Sequence, residues 1–183
     1  DVFDRSGAGC RFHPFVFQTT LADTLAPQEL LQSLKACAGG RHQLCLAVGT
    51  PVVALLRPVA SRAGRISSED VRCLTEWRNQ HVSSFLTGFV ATRERTVSWL
   101  TDMVGPDDTR IPFMVECPPG HVVGYMGLAF IDWVAASAEA DAVVRGEDAP
   151  RGLMTLCLRH LLGWARDQLG LMSLAVRVRS DNP

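Results

Sequence analysis

The segment VVRGEDAPRGLMTL, residues 143–156, is where this sequence most plainly offers chemistry. An apolar, β-prone run passes through a turn containing Gly and Pro into a run with helical apolar spacing, so a strand is predicted to feed a helix start. A helix start presents backbone N–H groups without partners and the positive end of the helix dipole, which together suit a phosphate or pyrophosphate. Gly152 lets an anion approach the backbone closely, and Leu153, Met154 and Thr155 follow it as N–H donors. Many strand-to-helix turns share this pattern, so it marks a candidate anion cradle without naming the anion.

The remaining reactive side chains offer less. Cys10, Cys37, Cys45, Cys73, Cys117 and Cys157 are scattered without a CxxC pair, which predicts reduced thiols in the core. His42 with Cys45, and Cys157 with His160, are isolated i, i+3 pairs, so no metal site is expected. Cys157, His160 and Trp164 share the apolar stripe of one helix, where side chains pack and do not serve as nucleophile or ligands.

The elements that must position these residues follow from periodicity. HPFVFQT, residues 13–19, has the pattern of a strand, and residues 26–38 that of a helix with Pro27 in its first turn. QLCLAVG and PVVALLRP flank a Gly-Thr turn and fit either two buried strands or a short helix leading into a strand. Residues 61–68 are polar loop. Ser67 or Ser68 then caps a helix with Val71, Leu74 and Trp77 on its apolar face. A second helix starts near Thr92, carries Val97, Leu100 and Val104 inward, and ends at Gly105. Residues 111–117 and 122–132 form a hairpin across Pro118, Pro119 and Gly120, and residues 138–145 add a third strand. Residues 152–169 form one long amphipathic helix stopped by Gly170, and residues 171–179 return as a strand.

The 183 residues are 47 % apolar and 20 % charged, enough for one folded domain or a domain with an appendage. Eighteen Lys and Arg against 19 Asp and Glu give a net charge of -1, which supplies no field for nucleic acid or anionic lipid. No apolar run reaches the roughly 18 residues of a membrane span, and the first residues lack a basic-then-apolar layout, so a cytoplasmic protein without membrane contact is expected. The start on Asp1 and the stop on Pro183, just after a strand, suggest a fragment.

In their order along the chain, LLRPV, EDVRCLTEWRN, RIPFMVE, VVGYMGLAFID, AEADAVVRGE, GLMTLCLRHLLGWARDQLGL and LAVRVRSDN resemble the GNAT superfamily of N-acetyltransferases. Trp77-Arg78-Asn79 is most similar to the branch holding ribosomal-protein and amino-sugar acetyltransferases. The resemblance implies an α/β (α+β) fold, a mixed and largely antiparallel sheet flanked by helices. It spans residues 53–183 and lacks the family's last helix and strands, which often supply a tyrosine general acid. Residues 1–52 would be a small βαβ-like appendage.

The resemblance further implies acetyl-CoA as cosubstrate, wedged between the 138–145 strand and the strand after the long helix. Its pyrophosphate would lie at Gly152, Leu153, Met154 and Thr155, with Asn182 as a further contact; Arg145 joins the cosubstrate-binding residues, and the backbone N–H groups of Val143 and Val144 are candidates to serve both the amides of its arm and the oxyanion. The family's RxxGxG/A loop has Glu147 and Pro150 at two of its places here. Attack of an amine on the thioester needs a proton acceptor and donors to the developing oxyanion. Asp132, Glu139 and Asp141 are the acids beside the central strands. Asp141 comes first and Glu139 second, against the alternative that all three are merely solvated. Arg78 and Asn79 would line the substrate side, or serve only a solvated helix face.

Residues 36–57, with GGRHQLCLAVGTPVVAL, resemble the closing part of polysaccharide pyruvyl transferase or glycosyltransferase domains. That favours a small amino-sugar or nucleotide-linked sugar acceptor. Protein N-terminal acetylation and a non-catalytic GNAT module are the alternatives, and a homodimer is compatible with all of them.

Overall fold

The computed structural model describes residues 25–41, 43–85 and 87–177. Six strands lie side by side in sequence order: β1 (Leu46–Val48), β2 (Ala54–Pro58), β3 (Ile111–Cys117), β4 (His121–Asp132), β5 (Ser137–Arg145) and β6 (Ser173–Val176). The pairs from β1 to β5 are antiparallel, while β5 and β6 are parallel. A parallel pair needs a crossover, and here it is the long helix between the two strands. The helices are α1 (Pro27–Cys37), α2 (Ser68–Gln80), α3 (Arg93–Ser98) and α4 (Leu153–Leu169), and α3 runs straight into a π-helical stretch, Trp99–Val104. This is the mixed α/β sheet architecture that the sequence implied.

Two cores form on the two faces of the sheet. On one face Leu30, Leu31 and Leu34 of α1 and Leu161 and Ala165 of α4 meet Leu46, Leu56, Phe113 and Met126, and Trp164 stands edge-on to Phe113. On the other, Val71, Leu74 and Trp77 of α2 and Leu100 and Val104 of the π stretch cover Met114, Tyr125 and Val144. Helix α2 begins as expected: the Ser67 hydroxyl accepts the Asp70 N–H at 3.3 Å, and Glu69 and Asp70 sit where the dipole favours acids. Arg57 on β2 crosslinks this layer, gripping Asp70 with both Nη atoms at 2.8 and 2.9 Å and Glu116 of β3 through Nε at 2.7 Å.

Several expectations change. Residues 43–58 are two strands, which settles the alternative left open. Val97 does not point inward; it is exposed, and Thr96, Leu100 and Val104 take the inner face. The reason is the π stretch, in which Gly105 N–H reaches back five residues to the Leu100 carbonyl, so the 3.6-residue register slips. The expected boundary between residues 52 and 53 falls inside the β1–β2 hairpin, and α1 shares its core with α4. Lys35 of α1 also donates through Nζ to the Val104 carbonyl at 2.6 Å and to the Asp107 carbonyl. The strand expected at 13–19, together with His42 and Asn182, lies outside the described residues.

Candidate functional site

Strand β5 is where the candidate residues gather, and a bulge shapes it. Gly127 of β4 faces Asp141 and Tyr125 faces Val144, so one residue of β4 opposes Ala142 and Val143 together. Such a bulge bends the strand and re-aims its side chains. Ala142 takes φ 51°, in the left-handed region. Pairing with β6 covers only Ser137 to Ala140; beyond that, among the described residues, β5 is laddered to β4 alone. The backbone from Asp141 to Arg145 therefore offers an edge beside the start of α4.

The start of α4 lies next to it. A Cβ on Gly124, which pairs with Arg145, would sit 2.4 Å from the Val144 carbonyl oxygen and 3.0 Å from Met154 Cε. Gly152 caps the helix at φ 82°, with open space where a side chain would begin. The Leu153 N–H is already donated to the Pro150 carbonyl at 3.1 Å, which corrects the expectation that it is a free donor. The N–H groups of Met154 and Thr155 have no such partner among the described residues. A bare glycine cap, two first-turn N–H groups and an adjacent strand edge fit an anionic cosubstrate with an amide-bearing arm.

Asp141 stands at the bulge, on the face covered by α2 and the π stretch. A small pocket opens there between Trp99, Arg110, Tyr125, Gly127, Asp141 and Ala142. The Asp141 carboxyl titrates above the ordinary carboxylate range. Surrounding protein strips water from its charged form, and Glu139 pushes the same way, while Arg110, the Ala142 N–H and Arg177 pull against them. The side chain nevertheless keeps an exposed surface. Tyr125 is buried, lies parallel to Trp77 with ring centroids 6.2 Å apart, and has its pKa raised by burial, so it stays a neutral phenol.

The other candidates are placed differently. Glu139 pairs with Arg177, Oε2 to Nε 2.5 Å, in the part of β5 that β6 covers. Asp132 accepts the N–H groups of Val134 and Ala135 in the β4–β5 turn. Arg145 donates to the Ala149 carbonyl at 3.2 Å. Val144 is buried against α2, and Val143 is exposed. Arg78 and Asn79, in the last turn of α2, bond to the segment between α2 and α3. Burial pushes the Cys157 thiol up to about 11 and holds His160 below its usual range, as packed residues require. The sequence reading missed Tyr125, Trp99 and Arg110. Tyr125 is the one tyrosine of the chain, and that singularity was the available signal.

No helix among the described residues is long and apolar enough to cross a membrane. Residues 64–183 match the family described as the acetyltransferase (GNAT) domain. No curated protein matches the chain in sequence. Among solved structures, the fold is similar to spermidine N-acetyltransferase from Vibrio cholerae in complex with CoA and spermine. That match has TM-score 0.60 and 17 % identity over 71 % of this chain and 73 % of the other. It is similar also to a ribosomal-protein α-N-acetyltransferase in complex with coenzyme A, with TM-score 0.60 and 14 % identity over 75 % and 76 %. A probable GNAT acetyltransferase from Chromobacterium violaceum gives TM-score 0.56 and 21 % identity over 71 % and 67 %.

Proposed function

Since the chain belongs to the GNAT acetyltransferase family, whose cosubstrate is acetyl-CoA, we propose that it transfers acetyl to a primary amine with Asp141 as proton acceptor. The observation that carries this reading is the bulge: it sets Asp141 in the lining of the pocket at the point where, among the described residues, β5 loses its second neighbour. Bound acetyl-CoA supplies the acetyl group as an activated thioester. The Met154 and Thr155 N–H groups and the dipole of α4 hold its phosphates. The backbone of Val143, Val144 and Arg145 holds the amides of its arm as a neighbouring strand would.

An amine arriving at neutral pH carries a proton that must leave before it attacks. Asp141 takes it, and the raised affinity of Asp141 for protons brings it nearer the working pH than an ordinary aspartate. Tyr125, held neutral by burial, keeps its O–H as a donor in the wall of the pocket. Glu139, engaged by Arg177, is a support of the β5–β6 pair and not a second base.

Three primary amines compete as acceptor. The amino-sugar or nucleotide-linked sugar rests on the N-terminal likeness and on the branch that Trp77-Arg78-Asn79 resembles. The names of similar structures point to spermidine and to a protein N-terminus. Calorimetric titration with acetyl-CoA, followed by turnover on glucosamine, spermidine and a short peptide with a free N-terminus, tests the reading. Binding is expected, and Gly152→Asp should weaken it by about tenfold by setting a carboxylate against the phosphates. Asn tolerates the left-handed backbone that strains other side chains, so Gly152→Asn separates charge from strain. Equal affinity in Gly152→Asp and the wild type would move the phosphates elsewhere. Binding without turnover on any amine would favour a non-catalytic module.

A further inference from the structure

Arg78 is 9 % exposed as a residue, and among the described residues its guanidinium enters no ion pair. Its charge is met by rings. The guanidinium carbon lies 3.8 Å from the centroid of Phe85 and 4.4 Å from that of Phe89. Nη2 donates to the Thr87 hydroxyl at 3.1 Å and to the Thr87 carbonyl, and Nε is buried without a partner. Next to it, Asn79 donates through Nδ2 to the Ala91 carbonyl at 3.0 Å and accepts the Ala91 N–H on Oδ1 at 2.8 Å. Two consecutive side chains of α2 thus spend their hydrogen bonds on one short segment, 87–91.

The choice of residue types follows from the geometry. A planar, delocalised guanidinium can lie over aromatic rings while its edge donates in plane; an ammonium cannot do both. An amide that both donates to and accepts from one residue fixes that residue's backbone as a strand partner would. The anchor is rigid in turn. Trp77, the preceding residue, is 1 % exposed, stacks on Tyr125 and packs against Gly146 at the end of β5. The ionisable groups whose charge acts on Arg78 are Tyr125 and Asp141, both in the lining of the pocket.

We propose that Arg78 and Asn79 are positioning residues that pin segment 87–91 beside the Tyr125 and Asp141 pocket as a fixed wall of the acceptor side. They would act without themselves touching the acceptor. Pinning holds whatever the protein binds; the word acceptor rests on the acetyltransferase reading.

Hydrogen exchange on the full chain reads the pinning without knowing the acceptor. Peptides covering 87–91 are expected to exchange slowly in the wild type. Asn79→Ala and Arg78→Lys should each speed them about tenfold, while peptides from β3 and β4 keep their rates. Wild-type exchange at the free-chain rate, or an Arg78→Lys protein indistinguishable from the wild type, overturns the proposal. Kinetics then separate pinning from contact. On whichever amine of the panel is turned over, both variants should raise KM with little change in kcat and none in acetyl-CoA affinity. A raised KM in Arg78→Lys with none in Asn79→Ala would make Arg78 an acceptor ligand and overturn the shared role. Failure of every amine would defeat the functional reading, and the exchange result would still decide the pinning.

Discussion

Asp141 is the residue on which pH should act. Its folded pKa lies above the unfolded one, so the folded chain holds this proton to higher pH than the unfolded chain does. The linked stability is present in full below the ordinary aspartate value of about 4 and is lost as pH rises through the folded value. Activity runs the opposite way, because only the ionised form accepts a proton. The rising limb of kcat/KM against pH should therefore fall above the ordinary carboxylate range, and Asp141→Asn should remove that limb with a loss of about 100-fold or more. A pH profile unchanged in Asp141→Asn would take the base away from this residue. Asp141 was a candidate in the sequence because it lies in the strand before the turn that contains Gly and Pro, and the structure sets it at the bulge of β5. Tyr125 was not. β4 carries an irregularity opposite Val115 and Glu116 that no alternation count contains, and it shifts which residues face α2. Arg78 and Asn79 stand out in the sequence as polar residues beside Trp77, but their partners, Thr87 and Ala91, sit in a stretch without periodicity.

Helices with ordinary caps were read from the sequence almost to the residue: Ser67 begins α2 and Gly170 follows α4. The π stretch was not, since a 3.6-residue template has no place for an extra residue per turn. That one departure exposes Val97 and puts Trp99 in the wall of the pocket. The contact between α2 and the end of β5 is equally invisible before folding. A Cβ on Gly146 would lie 1.9 Å from Trp77 Cε2, so only glycine lets strand and helix meet this closely. Gly146→Ala must push Trp77 off its stack with Tyr125, and overpacking of this kind costs about 1–3 kcal/mol. Urea denaturation should show a lowered midpoint at unchanged slope. An unaltered midpoint would mean that Trp77 does not rest on β5.

On the scale of the whole molecule, the described residues before 53, 25–41 and 43–52, behave as structure the sheet depends on. Leu30, Leu31, Leu34, Leu46 and Val48 are at most 2 % exposed within the core they share with α4. Their burial contributes about 10 kcal/mol in all, the same order as the entire net stability of a domain. A chain spanning only 53–183 should therefore show no cooperative unfolding by circular dichroism under conditions where residues 1–183 do. A cooperative transition at the full chain's midpoint would make 53–183 a unit of its own and support the boundary between 52 and 53. The β1–β2 hairpin gives little signal in the sequence because β1 is three residues long and five residues separate it from its partner. The bulge in β5 has a wider consequence. In a regular strand a slip of one residue reverses every side chain along its length. Here the extra residue works as a swivel: 137–140 answer to β6 and the folding of the sheet, while 144 and 145 keep a separate register with β4. The two halves can drift independently in sequence, so the pocket could be retuned for a new amine without rewriting the scaffold that carries it.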